Sequence, residues 1–322
     1  MKIKTKDISV IVQGAIDSEL TPKCLKSIRK YLKGAQIILS TWEGSNVEGL
    51  DFDILVENKD PGGVLMCKKT KLYNNVNRQL VSTQNGLEKA ERKYAIKFRT
   101  DFYLMGNDFL KYFDKFPVRD ENYACFKERV IVCSALSRLT SEIGVPTPFH
   151  LSDFFLFGLT EDIKLYFEKT PLMPDSDLAN YSYLYPDKKP YKNDSLCFRY
   201  APEQYFGVSF AKRHLKNLRF DDWTDWNDEN IELSKKFLMS NFIFLGFPES
   251  GVFSDKHWQA LIYETGQYPG LINYRTFIEM YKSILDSNYN TKISLFSKIL
   301  KKQRIFFAAL PKGMSSLYYR YF

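Results

Sequence analysis

Ile8-Ser9-Val10-Ile11-Val12-Gln13-Gly14 is a short β-branched apolar run that ends on a polar residue and a glycine, and it reads as a buried parallel strand. The residues after it alternate as such a strand requires. Thr21 stands as an N-cap before Pro22 at the first helical position, and Leu25, Ile28 and Leu32 recur at helical spacing until Gly34 stops them. Ala35 to Ser40 and Phe52 to Val56 read as the second and third strands, and Asp60-Pro61-Gly62-Gly63 as a turn. Asn74 to Ala90 is a longer helix with Val76, Leu80 and Leu87 on one side. Tyr94 to Phe98 is a fourth strand, running into Arg99-Thr100-Asp101. Beyond residue 120 the pattern predicts strands at Tyr123 to Phe126 and Phe154 to Phe157, and helices at Glu161 to Glu168, Pro202 to Lys212 and Glu229 to Met239. Pro171 to Tyr191 reads as a long ordered loop over a site. The whole predicts an α/β fold, a mostly parallel sheet sandwiched by helices.

Ligands of such sheets collect at the carboxyl ends of the strands, where the strand order reverses. Gln13-Gly14, Thr41-Trp42 and Arg99-Thr100-Asp101 occupy those ends. In the last, a carboxylate follows Lys97 and Arg99. Asp101 can hold a divalent cation against a diphosphate, and Lys97 and Arg99 can neutralise phosphate oxygens directly; a plain Arg-Asp pair closing a strand is the bland alternative. The helix opening at Asn74 brings Asn75 and Arg78 to its first turns, suited to an anion, a ribose or a sugar hydroxyl, or simply to capping. Asp153, just before an apolar strand, and Glu203, in a helix first turn, are candidate general bases whose burial would raise their proton affinity.

Composition narrows the class. With 322 residues, 44% hydrophobic and 26% charged, the chain can bury a large core, which excludes disorder over most of its length. No segment approaches the ~18 consecutive apolar residues of a membrane span, and the charged N-terminus lacks a signal peptide's apolar core. A cytoplasmic protein is expected. The five cysteines are odd in number and widely spaced, as structural thiols are. His150, His214 and His257 have no zinc-enzyme spacing, and the serine-hydrolase, P-loop and dinucleotide glycine motifs are absent. The net charge of +8 is concentrated beyond Asp286, where Lys292, Lys298, Lys301, Lys302, Arg304, Lys312 and Arg320 meet no acid. That asymmetry divides the chain into a body, 1–286, and a basic aromatic tail, 287–322, and argues against a nucleic-acid groove across the body. The tail's apolar periodicity suits either an amphipathic helix at an anionic membrane interface or a helix packed on the body.

Ile8 to Gly14, Cys24 to Tyr31, Ile37 to Gly44, Asn58 to Pro61, Asn74 to Ser82, Tyr94 to Asp101, His150 to Gly158 and Pro202 to Tyr205 together resemble the WavE family. That family is linked to lipopolysaccharide-core and other surface-glycan synthesis, including O-antigen and capsule, and is similar to GT-A (Rossmann-like) nucleotide-sugar glycosyltransferases. The resemblance implies transfer of a sugar from a nucleotide donor to a hydroxyl of a glycan or lipid-linked glycan, by inversion, at the inner face of the cytoplasmic membrane. It implies donor binding by Gln13, Gly14, Thr41, Trp42, Asn75, Arg78, Lys97, Arg99, Thr100 and Asp101, with Glu203 as base and Asp153 second. Arg99-Thr100-Asp101 stands where GT-A enzymes carry Asp-x-Asp, with Arg in place of the first acid. Either Asp101 alone holds Mg²⁺ or Mn²⁺, or Lys97 and Arg99 supply the metal's charge. A sugar nucleotidyltransferase and a non-catalytic glycan-binding or assembly protein are the alternatives.

Overall fold

The computed structural model describes residues 3–67, 72–141, 144–178, 198–223, 225–257 and 270–290. Its centre is a seven-stranded sheet. In chain order the strands are β1 (Ile8–Gln13), β2 (Gln36–Trp42), β3 (Ile54–Asn58), β6 (Tyr94–Arg99), β8 (Val130–Cys133), β11 (Phe155–Leu159) and β12 (Phe242–Leu245). Across the sheet the order is β12-β8-β11-β6-β1-β2-β3. Only β11 runs against the others, between β6 and β8, so the sheet is mostly parallel. Short pairs lie outside it: β4 (Val64–Cys67) with β5 (Leu72–Asn74), β7 (Tyr103–Leu104) with β13 (Val252–Phe253), and β9 (Arg138–Thr140) with β10 (Pro146–His150).

β1 is buried along its whole length, as a strand in which only Ser9 and Gln13 are polar is expected to be. Helix Leu20–Tyr31 buries Cys24, Leu25 and Ile28, and helix Val76–Glu88 buries Val76, Leu80 and Leu87. Helices Thr160–Phe167, Pro202–His214, Asp228–Asn241 and Tyr274–Ile284 add to the cover. The second half of the core is built largely of rings, among them Phe126 stacked on Phe210 at 4.7 Å and Phe109 edge-on to Phe155 and Phe157.

Two local expectations are corrected. Thr21 lies inside the first turn, and Asp17 closes the entry: its Oδ1 accepts the N–H groups of Glu19 and Leu20, while the Thr21 hydroxyl accepts the Asp17 N–H. The strand expected at Tyr123 to Phe126 is a turn. The strand is the β-branched run Val130–Cys133, and Phe126 reaches the core through its ring, which packs against Phe210 and Phe242. Of the loop expected from Pro171 to Tyr191, Asp175–Leu178 forms a short helix and the residues from 179 onward lie outside the described residues. The tail from 291 also lies outside them. Tyr289, just past the expected body boundary, packs its ring against Phe116 and Tyr281.

Candidate active site

The strand order reverses between β1 and β6, and the carboxyl ends of these two strands are bound together. The Thr100 N–H donates to the Gln13 carbonyl at 3.1 Å, and the Thr100 hydroxyl to the Ala15 carbonyl at 2.7 Å. Between them Gly14 takes φ +123°, and a Cβ there would stand 3.1 Å from the Thr100 hydroxyl. A glycine is needed where the chain leaves β1 in this conformation. A cavity of about 410 Å³ opens at this crevice, in the range of small-molecule sites.

Gln13, Gly14, Trp42, Asn75, Arg78, Arg99, Thr100 and Asp101 line that one cavity. Four other candidates, Thr41, Lys97, Asp153 and Glu203, do not. Thr41 is buried, its hydroxyl 3.3 Å from that of Ser45. Lys97 is wholly buried, its Nζ donating to the main-chain carbonyl of Asp153 and lying 3.9 Å from Asp153 Oδ2. It supports the site from beneath and is not a cavity-lining cation. Ala15, Ile16, Asp17, Asp60, Gln79 and Lys256 complete the lining. Sequence offers no local signal for Lys256, which arrives from the far end of the chain because β13 pairs with β7 just beyond Asp101.

The cavity walls carry fixed ion pairs. Arg78 donates Nε and Nη2 to the two oxygens of Asp60, at 2.8 and 2.7 Å, and Nη1 to Asn75 Oδ1. Arg99 donates Nε to Asp101 Oδ1 at 2.9 Å and Nη2 to Oδ2 at 2.8 Å. His257 Nε2 is 3.2 Å and Lys256 Nζ 3.5 Å from the same Oδ2, and the His257 ring stacks on Phe102. Burial alone would raise the Asp101 carboxyl, but the His257 hydrogen bond and the Arg99 charge outweigh it and hold it well below the usual carboxylate range. Each paired guanidinium still has N–H groups left over from its five, so the crevice presents oriented donors to an anion.

A divalent cation fits this donor set poorly. Both Asp101 oxygens already accept from cationic groups, and among the described residues no three His, Cys, Asp or Glu side chains converge on a metal position.

Asp153 and Glu203 stand outside this lining. Because β11 runs antiparallel to β6, Asp153, two residues before Phe155 in its pairing with Phe98, stands next to the carboxyl end of β6. Glu203 opens helix Pro202–His214, which packs on β10 through Gly207; a Cβ on Gly207 would lie only 1.9 Å from the Phe149 carbonyl oxygen. Phe149 itself holds a left-handed φ of +59°, and Gln204 Nε2 donates to the Pro148 carbonyl at 3.0 Å. Burial first, and the Asp153 charge second, push the Glu203 carboxyl up to about 7.

Fold and site together define an α/β protein with a polar crevice at its topological switch point, lined by Arg78, Arg99 and Lys256 and by Asp17, Asp60 and Asp101. The chain belongs to the WavE lipopolysaccharide synthesis family, whose sequence profile matches residues 8–307. No curated protein matches it. No helix among the described residues is long and apolar enough to cross a membrane.

Proposed function

We propose that this protein is a GT-A-like glycosyltransferase that moves a sugar from a nucleotide-sugar donor to a hydroxyl of a bacterial surface glycan in lipopolysaccharide synthesis. The observation that carries the reading is the crevice at the β1/β6 switch point, lined by Arg78, Arg99 and Lys256. A nucleoside diphosphate is the anion such a crevice suits, with its phosphates against the cations and its base and ribose toward Trp42 and Asn75.

In the reaction the acceptor O–H gives its proton to the Glu203 carboxylate as its oxygen bonds to the anomeric carbon. The bond from that carbon to the diphosphate oxygen breaks, and the leaving group keeps the electron pair. Arg99 and Lys256 stabilise the charge that develops there. One displacement inverts the anomeric centre. The metal's charge is supplied by these cations, in keeping with the donor set around Asp101.

The tail beyond residue 291 is read as an amphipathic anchor at an anionic membrane surface, where a lipid-linked acceptor would be met. Removing residues 292–322 then abolishes co-sedimentation with anionic liposomes and leaves donor binding intact; an aggregated truncation would instead make the tail part of the core.

A thermal-shift screen against UDP, GDP, CMP, CDP and dTDP sugars tests donor binding. One nucleotide class raises Tm on this reading. Failure of all of them would favour a glycan-binding or assembly protein.

A further inference from the structure

The two ends of the sheet carry different charge. At the carboxyl ends, the crevice sets Arg78, Arg99 and Lys256 against Asp17, Asp60 and Asp101. At the amino ends of β1 and β2, which run parallel, a second cavity of about 680 Å³ is lined by Lys4, Lys6, Lys33 and Lys111, with Asp114 its one acid. Lys4 and Lys6 precede β1, and Lys33 precedes β2. Their backbones are tied together, the Thr5 hydroxyl donating to the Lys33 carbonyl at 2.5 Å. The chain beyond β7 returns to the same end, where Asn107 Nδ2 donates to the Tyr31 carbonyl at 2.9 Å, and this brings Leu110 and Lys111 into the lining. The four lysines are exposed. Lys111 is paired with Asp108, whereas Lys4, Lys6 and Lys33 have no ion-pair partner among the described residues. A surface kept soluble by charge intersperses both signs. Three unpaired ammonium groups around one concavity instead attract an anion, and the half-buried Ile3 and Leu110 give their stems an apolar floor.

The place where the chain leaves the described body indicates which anion. Tyr289 packs its ring against Phe116 at 5.1 Å, and Phe116 stands two residues past Asp114 of the cavity lining. The segment beyond residue 290, with seven cations and no acid, therefore begins beside this cavity. A bilayer with anionic head groups is a surface wide enough to meet both. We propose that the cavity at the amino ends of β1 and β2 receives the phosphate head groups of anionic lipids, as a second membrane contact that acts together with the tail. Two weak contacts on one surface hold far more tightly than either alone, as stable anchoring requires. The donor crevice then faces away from the lipid, separated from it by the six residues of β1, about 20 Å of strand. The inference rests on the reading of the tail as an anchor and needs no sugar transfer.

Flotation of the full chain with lipid vesicles tests it. The wild type should bind vesicles of phosphatidylcholine with phosphatidylglycerol, and not phosphatidylcholine alone, with an affinity that falls as salt rises. The body variant Lys4→Ala/Lys6→Ala/Lys33→Ala should bind at least about tenfold more weakly, since each ammonium group near the surface contributes about fivefold. Its Tm should stay that of the wild type, because the three side chains are exposed and unpaired. The tail variant Lys298→Ala/Lys301→Ala/Lys302→Ala should weaken binding in the same way. Binding lost in the tail variant and unchanged in the body variant would overturn the cavity contact and leave the tail as anchor. The reverse would uphold the cavity and end the anchor reading of the tail, and a wild type that binds neither vesicle would overturn both. A rise in Tm with inorganic phosphate that the body variant loses, with vesicle binding unchanged, would also overturn the proposal and make the cavity a site for a soluble anion.

Discussion

Arg99 grips Asp101 with two parallel hydrogen bonds, Nε to Oδ1 at 2.9 Å and Nη2 to Oδ2 at 2.8 Å, although one residue separates them in the chain. This is possible because β6 ends at Arg99 and the chain turns at Thr100, whose hydroxyl is fixed to Ala15. The Asp101 carboxylate therefore orients a guanidinium.

Asp101→Ala should remove most activity and weaken nucleotide-sugar binding by tenfold or more, roughly the effect of leaving a largely buried Arg99 charge without its partner. Calorimetry and steady-state kinetics check both. Near wild-type turnover would end this reading of Arg99-Thr100-Asp101. Because Asp101 is held by cations, activity should also survive EDTA; loss restored by Mn²⁺ would return the metal to the site.

Lys256→Ala should weaken donor binding about fivefold and flatten its salt dependence, as removal of a largely exposed charge worth about 1 kcal/mol does. Titrations at two salt concentrations measure it. An unchanged affinity would remove Lys256 from the phosphate subsite.

The first half of the fold was legible because its strands are short apolar runs and its helices carry clean 3.6-residue spacing. Leu25 and Ile28 in one helix, and Val76, Leu80 and Leu87 in another, are buried as that spacing implies. The second half resisted because aromatic side chains fill its core from turns as readily as from strands, as Phe126 does. Of the residues expected at the strand ends and the helix start, Gln13, Gly14, Trp42, Asn75, Arg78, Arg99, Thr100 and Asp101 line one crevice, whereas Thr41 and Lys97 are buried outside its lining. Lys97 misled because a lysine in an apolar strand looks like a cation on its way to the edge, and only the antiparallel return of β11 shows Asp153 waiting beneath it. Lys256 and His257 were illegible, since no spacing rule joins residues over 150 positions apart.

Glu203 and Lys97 predict opposite pH dependences of stability. The Glu203 carboxyl is raised from 4.5 to about 7, so between those values the folded state holds a proton that the unfolded chain has lost, and stability falls as pH rises. Lys97 is lowered from 10.5 to about 8, so between those values the unfolded chain holds the extra proton, and stability rises with pH. Urea unfolding across pH should show both slopes. Glu203→Gln should abolish the first and leave the second, while lowering turnover by roughly 10² to 10⁴ with donor affinity kept. An unchanged acid-side slope in that variant would refute the assignment.

Gly207→Ala should destabilise the protein by about 3 kcal/mol, because the added methyl would collide with the Phe149 backbone, which cannot swing aside as a side chain can. A thermal melt reads the loss. A variant melting like the wild type would mean that the helix carrying Glu203 is not held by this contact.

Glycosyl transfer itself is tested most directly by identifying what the protein releases from its nucleotide sugar in the presence of a lipopolysaccharide acceptor. Chromatography of the reaction should show a nucleoside diphosphate or monophosphate appearing in step with the glycosylated acceptor, and neither forming with Glu203→Gln. No lengthened glycan from the nucleotide sugar, with pyrophosphate and a nucleotide sugar formed instead when a nucleoside triphosphate and a sugar 1-phosphate are supplied, would contradict it and make the protein a nucleotidyltransferase.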